Sequence, residues 1–257
     1  MIGIHHQERG KGYPIILIHG FCESLEIWNQ VTEILSVNYR AVAIDLPGFG
    51  KSKPLASPFT IDDVAQAVGI FLKSELGIEE CIVMGHSLGG YVTLALAEQD
   101  PKLVKAFGLI HSTAYADTEE RKAARLKVVE FVKAYGVKAF IDSFIPPLFA
   151  DKSNPQIPAV IQMAGDTSLQ TVIDYTLAMR GRPDRTDLIS RTNKSLLFLA
   201  GTEDSVIPVE TVNQQAKSVS RAVVTVLQHV GHMGMIEASE KTAHHIGDFA
   251  AMQVTGV

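Results

Sequence analysis

Two periods alternate along this chain. Short, mainly apolar runs occur at 13–18, 39–44, 81–84, 104–110, 195–200 and 222–227, unbroken at 13–18 and 81–84. Runs of that length, rich in β-branched residues, predict strands buried on both faces of a sheet. Between them, apolar residues recur every three or four positions, which predicts helices at 25–35, 60–76, 91–98, 209–218 and 236–252. Thr60 is placed to cap its helix, with Asp62 and Asp63 in the first turn and Gly77 just past the end. The stretch 2–9 reads as a first, edge strand, closed by a turn at Gly10-Lys11-Gly12. Strands alternating with helices at this spacing predict an α/β fold: a mostly parallel twisted sheet with helices on both sides.

After His111 and Ser112 the rhythm breaks, and up to Arg182 no stretch reads as a buried strand. Helical spacing appears instead at 118–135, 137–144, 157–163 and 168–179, interrupted by the apolar stretch Ile145-Pro146-Pro147-Leu148-Phe149. The expected organisation is a core of 1–112 and 186–257, with a helical cap at 113–185 inserted between two core strands. No internal repeat or low-complexity tract is present.

The 257 residues, 46% of them hydrophobic, suffice for one large α/β domain. A net charge of −5 argues against a nucleic-acid partner, which needs clustered positive charge. Cys22 and Cys81 make no disulfide framework, and no apolar run is long enough for a membrane span. Together with an N-terminus lacking the apolar core of a secretory signal, this gives the expectation of a cytoplasmic protein with no membrane partner. Oligomeric state is not legible.

The chemistry centres on Gly85-His86-Ser87-Leu88-Gly89-Gly90, which joins the predicted strand at 81–84 to the predicted helix at 91–98. A strand-to-helix corner that sharp needs small neighbours, supplied by Gly85 and Gly89, and it pushes the Ser87 hydroxyl into the open at a helix N-terminus. A serine hydroxyl is a poor nucleophile unless a base takes its proton and a third group orients the base. Asp204 lies just past the strand at 195–200, and His232 just past the strand at 222–227. Ligand-facing groups of open α/β sheets gather at these carboxyl ends. The expected relay is therefore Ser87 as nucleophile, His232 as base and Asp204 as its orienting acid. The N–H groups of Leu88 and Phe21 are the expected oxyanion donors; losing one such donor costs about 3–4 kcal/mol of transition-state stabilisation.

These pieces, in this order, resemble the α/β-hydrolase superfamily, and within it the capped serine esterase, lactonase and haloperoxidase-like branch. The matching stretches are His19-Gly20-Phe21, Asp45-Leu46-Pro47-Gly48-Phe49-Gly50, the corner at 85–90, Gly201-Thr202-Glu203-Asp204 with Pro208, and Gly231-His232. The resemblance spans essentially the whole chain. It implies hydrolysis of a carboxylic ester through an acyl-enzyme, with no cofactor and no metal, acting on a small-molecule ester or related acyl compound. Lactone hydrolysis, amide or C–C bond hydrolysis, cofactor-free perhydrolysis and a receptor role with vestigial turnover stay open, because one such triad serves them all. Ser87 argues against haloalkane dehalogenases and epoxide hydrolases, which carry Asp there. The stretch Phe21-Cys22-Glu23-Ser24 is poorer in glycine than the oxyanion loops of C–C hydrolases.

Other residues are weighed against this set. Asp117 is the rival acid, since some relatives place the acid after the preceding strand. Glu203 neighbours Asp204, but the loop pattern favours Asp204. His19 is expected to be structural, Asp45 to order its own loop, and the role of His86 is open. His229, His244 and His245 are expected to be structural, and Cys22 a small buried hydrophobe. No His/Cys/carboxylate set has the spacing of metal ligands, and the glycine-rich corner lacks the lysine of a phosphate loop. Phe144, Leu148 and Met163 are candidate substrate-lining residues in an apolar pocket between insertion and sheet. Arg180 and Arg182 are expected to make ion pairs at the base of the insertion.

Overall fold

A computed structural model of the chain describes residues 3–254. Seven strands form one sheet in the order β1-β3-β2-β4-β5-β6-β7. They are β1 (His6–Arg9), β2 (Pro14–Ile18), β3 (Arg40–Ile44), β4 (Cys81–His86), β5 (Val104–Ile110), β6 (Leu196–Gly201) and β7 (Ala222–Leu227). β1 pairs antiparallel with β3, and every other pairing is parallel. Of the edge strand expected at 2–9, Ile2 lies outside the described residues, and the observed strand is its second half. β2 and β6 are wholly apolar in their buried positions, and β4 is so up to Gly85 and ends in the buried His86, as suits strands covered on both faces.

The helices on the faces are α1 (Asn29–Leu35), α2 (Ile61–Ser74), α3 (Leu88–Gln99), α8 (Val209–Ala216), α9 (Gly234–Glu237) and α10 (Ser239–Val254). Four more, α4 (Glu119–Phe144), α5 (Ile157–Gly165), α6 (Leu169–Gly181) and α7 (Thr186–Arg191), lie between β5 and β6. Thr60 caps α2 reciprocally: its side chain accepts from the Asp63 N–H while the Asp63 carboxylate accepts from the Thr60 N–H. The predicted helices at 118–135 and 137–144 meet end to end as α4, broken at Gly136, whose φ of 82° no helix accommodates. The helix expected at 25–35 begins instead as a 3₁₀ turn, Leu25–Trp28, which buries Trp28 before α1 starts.

Strand order reverses between β2 and β4. β3 lies on one side of β2 and β4 on the other, so the loops leaving the two strands diverge and open a crevice at their carboxyl ends. The loop after β2 begins at His19 and the loop after β4 contains Ser87, which puts both beside that crevice. Among the described residues, no helix is long and apolar enough to cross a membrane.

Candidate active site

Ser87 sits between β4 and α3 with φ 48° and ψ −112°, a backbone conformation that L-residues avoid. The surroundings force it. The Ser87 N–H donates to the Ile110 carbonyl at 3.0 Å, and its carbonyl accepts from the Gly90 N–H at 3.0 Å and from Ser112 Oγ at 2.7 Å. The corner is also too tight for side chains on either flank. A Cβ on Gly85 would lie 2.2 Å from the Gly89 carbonyl oxygen, and one on Gly89 would lie 2.4 Å from that of Ile18. The hydroxyl stays half-exposed and, among the described residues, makes no hydrogen bond. Leu88, whose N–H is the first of α3, is fully buried.

Asp204 follows β6 and is reached by two imidazoles. His232 Nδ1 lies 2.8 Å and His111 Nδ1 3.0 Å from the same carboxylate oxygen, Oδ2. The other oxygen accepts the N–H groups of Val206 and Ile207 at 2.8 and 2.9 Å. Burial alone raises a carboxyl pKa. Here the charge of His232 and the hydrogen bonds from His111 and His232 outweigh burial and hold Asp204 far below the usual carboxylate range. As an ionised acceptor it fixes the proton of His232 on Nδ1 and leaves Nε2 the unprotonated nitrogen of the neutral ring.

His111 itself is fully buried with φ 48°, and its Nε2 has no partner. Burial depresses its pKa to about 4 despite the nearby carboxylate, so it is a neutral donor to Asp204. His111, Asp204 and His232 bring one potential ligand atom each to within 4.8 Å of one another, a grouping the sequence spacing does not reveal. Those atoms share the hydrogen bonds just described, so an ion there would have to displace both imidazole protons.

On the other flank, Glu23 Oε2 accepts the Gly20 N–H at 2.6 Å and meets His86 Nδ1 at 2.9 Å. His86 Nε2 meets the His232 carbonyl oxygen at 2.9 Å. His19 donates from Nδ1 to the Gly20 carbonyl and accepts the Leu46 N–H at Nε2. Both its nitrogens are thus occupied within its own loop, and burial lowers its pKa. Asp45 accepts the N–H groups of Leu25 and Lys51 and faces His5 Nδ1. The buried Cys22 thiol has its pKa pushed well up by desolvation.

The rival acid Asp117 is committed elsewhere. It forms ion pairs with Arg182 at 2.8 Å and Arg125 at 2.6 Å, and Arg182 also stacks 3.9 Å over the Tyr91 ring. Glu203 is exposed.

Helices between β5 and β6 reach this region through three contacts. Phe21 packs 5.9 Å from Phe144 and 6.2 Å from Phe140, ring centre to ring centre, and the latter two stack on each other. Leu148 offers its carbonyl to the His232 N–H at 2.7 Å. Glu237 accepts the Ala150 and Gly231 N–H groups at 2.8 and 3.1 Å, tying the insertion to the loop that carries His232. Met163 lies apart from these, lining a cavity of about 310 Å³ with Ile27, Gln156, Val160 and Met235.

Of the residues named from the sequence, the structure brings Asp204 and His232 into contact and sets Ser87 at the corner after β4, while Glu23, His111 and Glu237 were not singled out from the sequence. His111 carried a usable signal, since it directly follows a strand at the same end of the sheet.

A sheet order reversing beside a strained serine corner, with an Asp–His pair on the two adjoining loops, defines a class, and comparison with known proteins agrees. The chain has the α/β-hydrolase fold: the model described as the alpha/beta hydrolase fold matches residues 13–135. The structure is similar to a thermophilic esterase from Thermogutta terrifontis, with a TM-score of 0.91 and 27% identity over 96% of this chain and 93% of that one. In sequence it is 26% identical to lipase 3 of a Moraxella species, over 91% of this chain and 76% of that protein. It is 28% identical to 2-hydroxymuconate semialdehyde hydrolase of a Pseudomonas species, over 95% and 89%.

Proposed function

We propose that this protein is a serine hydrolase that cleaves a carboxylic ester with a small or medium apolar acyl group. The observation that carries the reading is the Asp204–His232 pair at 2.8 Å, on loops at the same sheet end as the strained corner that presents Ser87. His232 Nε2 takes the Ser87 proton as Oγ attacks the ester carbonyl, and Asp204 stabilises the imidazolium that results. The N–H groups of Leu88 and Phe21 receive the negative charge that develops on the carbonyl oxygen. His232 then hands its proton to the departing alkoxide, leaving an acyl-enzyme. A water deprotonated by the same imidazole releases the acid. The Ser87–His232 hydrogen bond forms as substrate seats, as is common for catalytic contacts that are loose in the empty enzyme.

The insertion at 113–185 is read as a cap, whose residues Phe144 and Leu148 face substrate over the oxyanion and base loops. Met163 lines a separate cavity with Ile27 and Met235 and has no part in this reading. The esterase and lipase relatives favour the ester reading. The similarity to 2-hydroxymuconate semialdehyde hydrolase favours C–C bond hydrolysis as the second reading, with the same triad attacking a ketone.

The test is Ser87→Ala. Turnover of p-nitrophenyl butyrate and labelling by a fluorophosphonate should both vanish while the melting temperature stays within a few degrees. Labelling that survives the substitution refutes the assignment of the nucleophile. Faster turnover of a vinylogous diketone than of any ester would move the reading to C–C hydrolysis.

A further inference from the structure

His86 meets an acceptor on each side of its ring, the Glu23 carboxylate at Nδ1 and the His232 carbonyl at Nε2, both at 2.9 Å. A neutral imidazole has one N–H and could satisfy only one of them; donating to both takes the doubly protonated, charged ring. The ring is fully buried and Glu23 is 3% exposed. In that state a complete ion pair is held inside the protein one residue before Ser87. Burying two charges is expensive, and a hydrophobic pair of similar size would stabilise the core at least as well. What this pair supplies is placement. Glu23 also grips the N–H of Gly20, directly before Phe21, while His86 grips the backbone carbonyl of His232 itself.

We propose that Glu23 and His86 are positioning residues, a buried ion pair that sets the oxyanion loop and the base loop in register about Ser87. The inference rests on the reading of Ser87 and His232 as nucleophile and base. It also explains a matching of charge. The His86 and His232 ring centres are 4.9 Å apart, so proton transfer from Ser87 puts two imidazoliums side by side. Two carboxylates answer them: Glu23 is neutralised by His86, and Asp204 is left for His232. The ionisable groups around His86 are Glu23 and His19 after β2, His111 after β5, Asp204 after β6 and His232 after β7. Burial opposes the charge on His86, yet the Glu23 charge and hydrogen bond raise its pKa above the ordinary value, and Glu23 is held below its own.

Glu23→Gln is the informative variant, because it keeps an oxygen for the Gly20 N–H and removes only the charge. The expected result is a fall in kcat of about 10²-fold toward p-nitrophenyl butyrate, the scale of a misplaced catalytic group, with KM changed less than about threefold. The acid limb of the kcat/KM profile should move to higher pH, because the cation beside His232 is lost. A purely structural role would lower the melting temperature and leave that limb in place. Nitrogen NMR of histidine-labelled wild-type protein and of Ser87→Ala gives a readout independent of any variant at the pair. The resonances that disappear in His86→Gln should show two protonated ring nitrogens in mildly alkaline buffer, and a neutral ring there overturns the proposal. If the wild type reacts with no fluorophosphonate, the nucleophile reading falls and this one with it. If labelling is normal and Glu23→Gln keeps wild-type kcat and acid limb, the role of the ion pair alone is refuted.

Discussion

His111 offers the sharpest thermodynamic test of the site. Its ring is buried, donates from Nδ1 to Asp204, and leaves Nε2 against the backbone of Gly234, where a Cβ would come within 2.3 Å of it. There is no room for a partner that would stabilise a second proton. The folded pKa of about 4 lies below the 6.5 of an unfolded histidine. With that sign the unfolded state binds the proton first. Stability contributed by the neutral ring is complete above 6.5 and is lost as pH falls towards 4. The shift of 6.5 − 4 = 2.5, at about 1.36 kcal/mol each, amounts to ~3 kcal/mol over the window. His111→Asn is the perturbation to use. Asn is among the few side chains comfortable at a φ of 48°, and its carboxamide N–H can replace Nδ1–H toward Asp204. The smaller side chain leaves a small cavity costing about 1 kcal/mol near neutral pH. It does not titrate, so its stability curve should be flatter and should cross the wild-type curve between about pH 5 and 6. Urea unfolding followed by circular dichroism, repeated across that range, measures both curves. Curves that run parallel down to about pH 4.5 would refute the claim that His111 is held neutral.

Two further substitutions separate the acid of the proposed relay from its rival. In Asp204→Asn the carboxamide must either turn its NH₂ toward the two imidazole Nδ1–H groups or toward the Val206 and Ile207 N–H groups, so donors face donors in both orientations. The expected loss in kcat is about 10³–10⁴-fold, measured by ester turnover at saturating substrate. Asp117→Asn should do the reverse. It removes the counter-charge of the buried Arg182 and destabilises the fold by roughly 3–5 kcal/mol in urea unfolding. Its kcat should stay within about twofold where the protein remains folded, since a group away from the reacting atoms adds nothing to transition-state stabilisation.

How far the sequence reaches depends on how local the deciding physics is. β5 and β7 were readable to the residue, and the other parallel strands nearly so, because a mainly apolar, β-branched run marks a strand both where it is covered on two faces, as in β5, and where it lies partly exposed at the sheet edge, as in β7. α7 was missed: six residues, Thr186–Arg191, are too short to display a helical period. The stop at Ala238 that divides α9 from α10 was missed too, since nothing in its type resists continuing a helix. Gly136 is the opposite case. A glycine between two helical patterns marked a break correctly, because only its backbone takes that φ without strain.

The residues of the candidate site divide along the same line. Ser87, Asp204 and His232 could be singled out because each sits at a fixed offset from the end of a strand, and strand ends are local. Glu23 and His86 are 63 positions apart, and His111 is 93 positions from Asp204, so their meeting depends on which strands are neighbours in the sheet. Sheet order brings β2 beside β4 and β5 beside β6, and the loops at their carboxyl ends converge as a result. Two carboxylates and three imidazoles then share one buried volume. Their protonation states are set mutually: His86 charged against Glu23 in the proposed pair, His111 neutral for want of a second acceptor, and Asp204 ionised by the donors around it. No single residue in the chain announces that arrangement. Yet each state follows once the topology is known, from counting which ring nitrogens meet oxygen and which meet carbon.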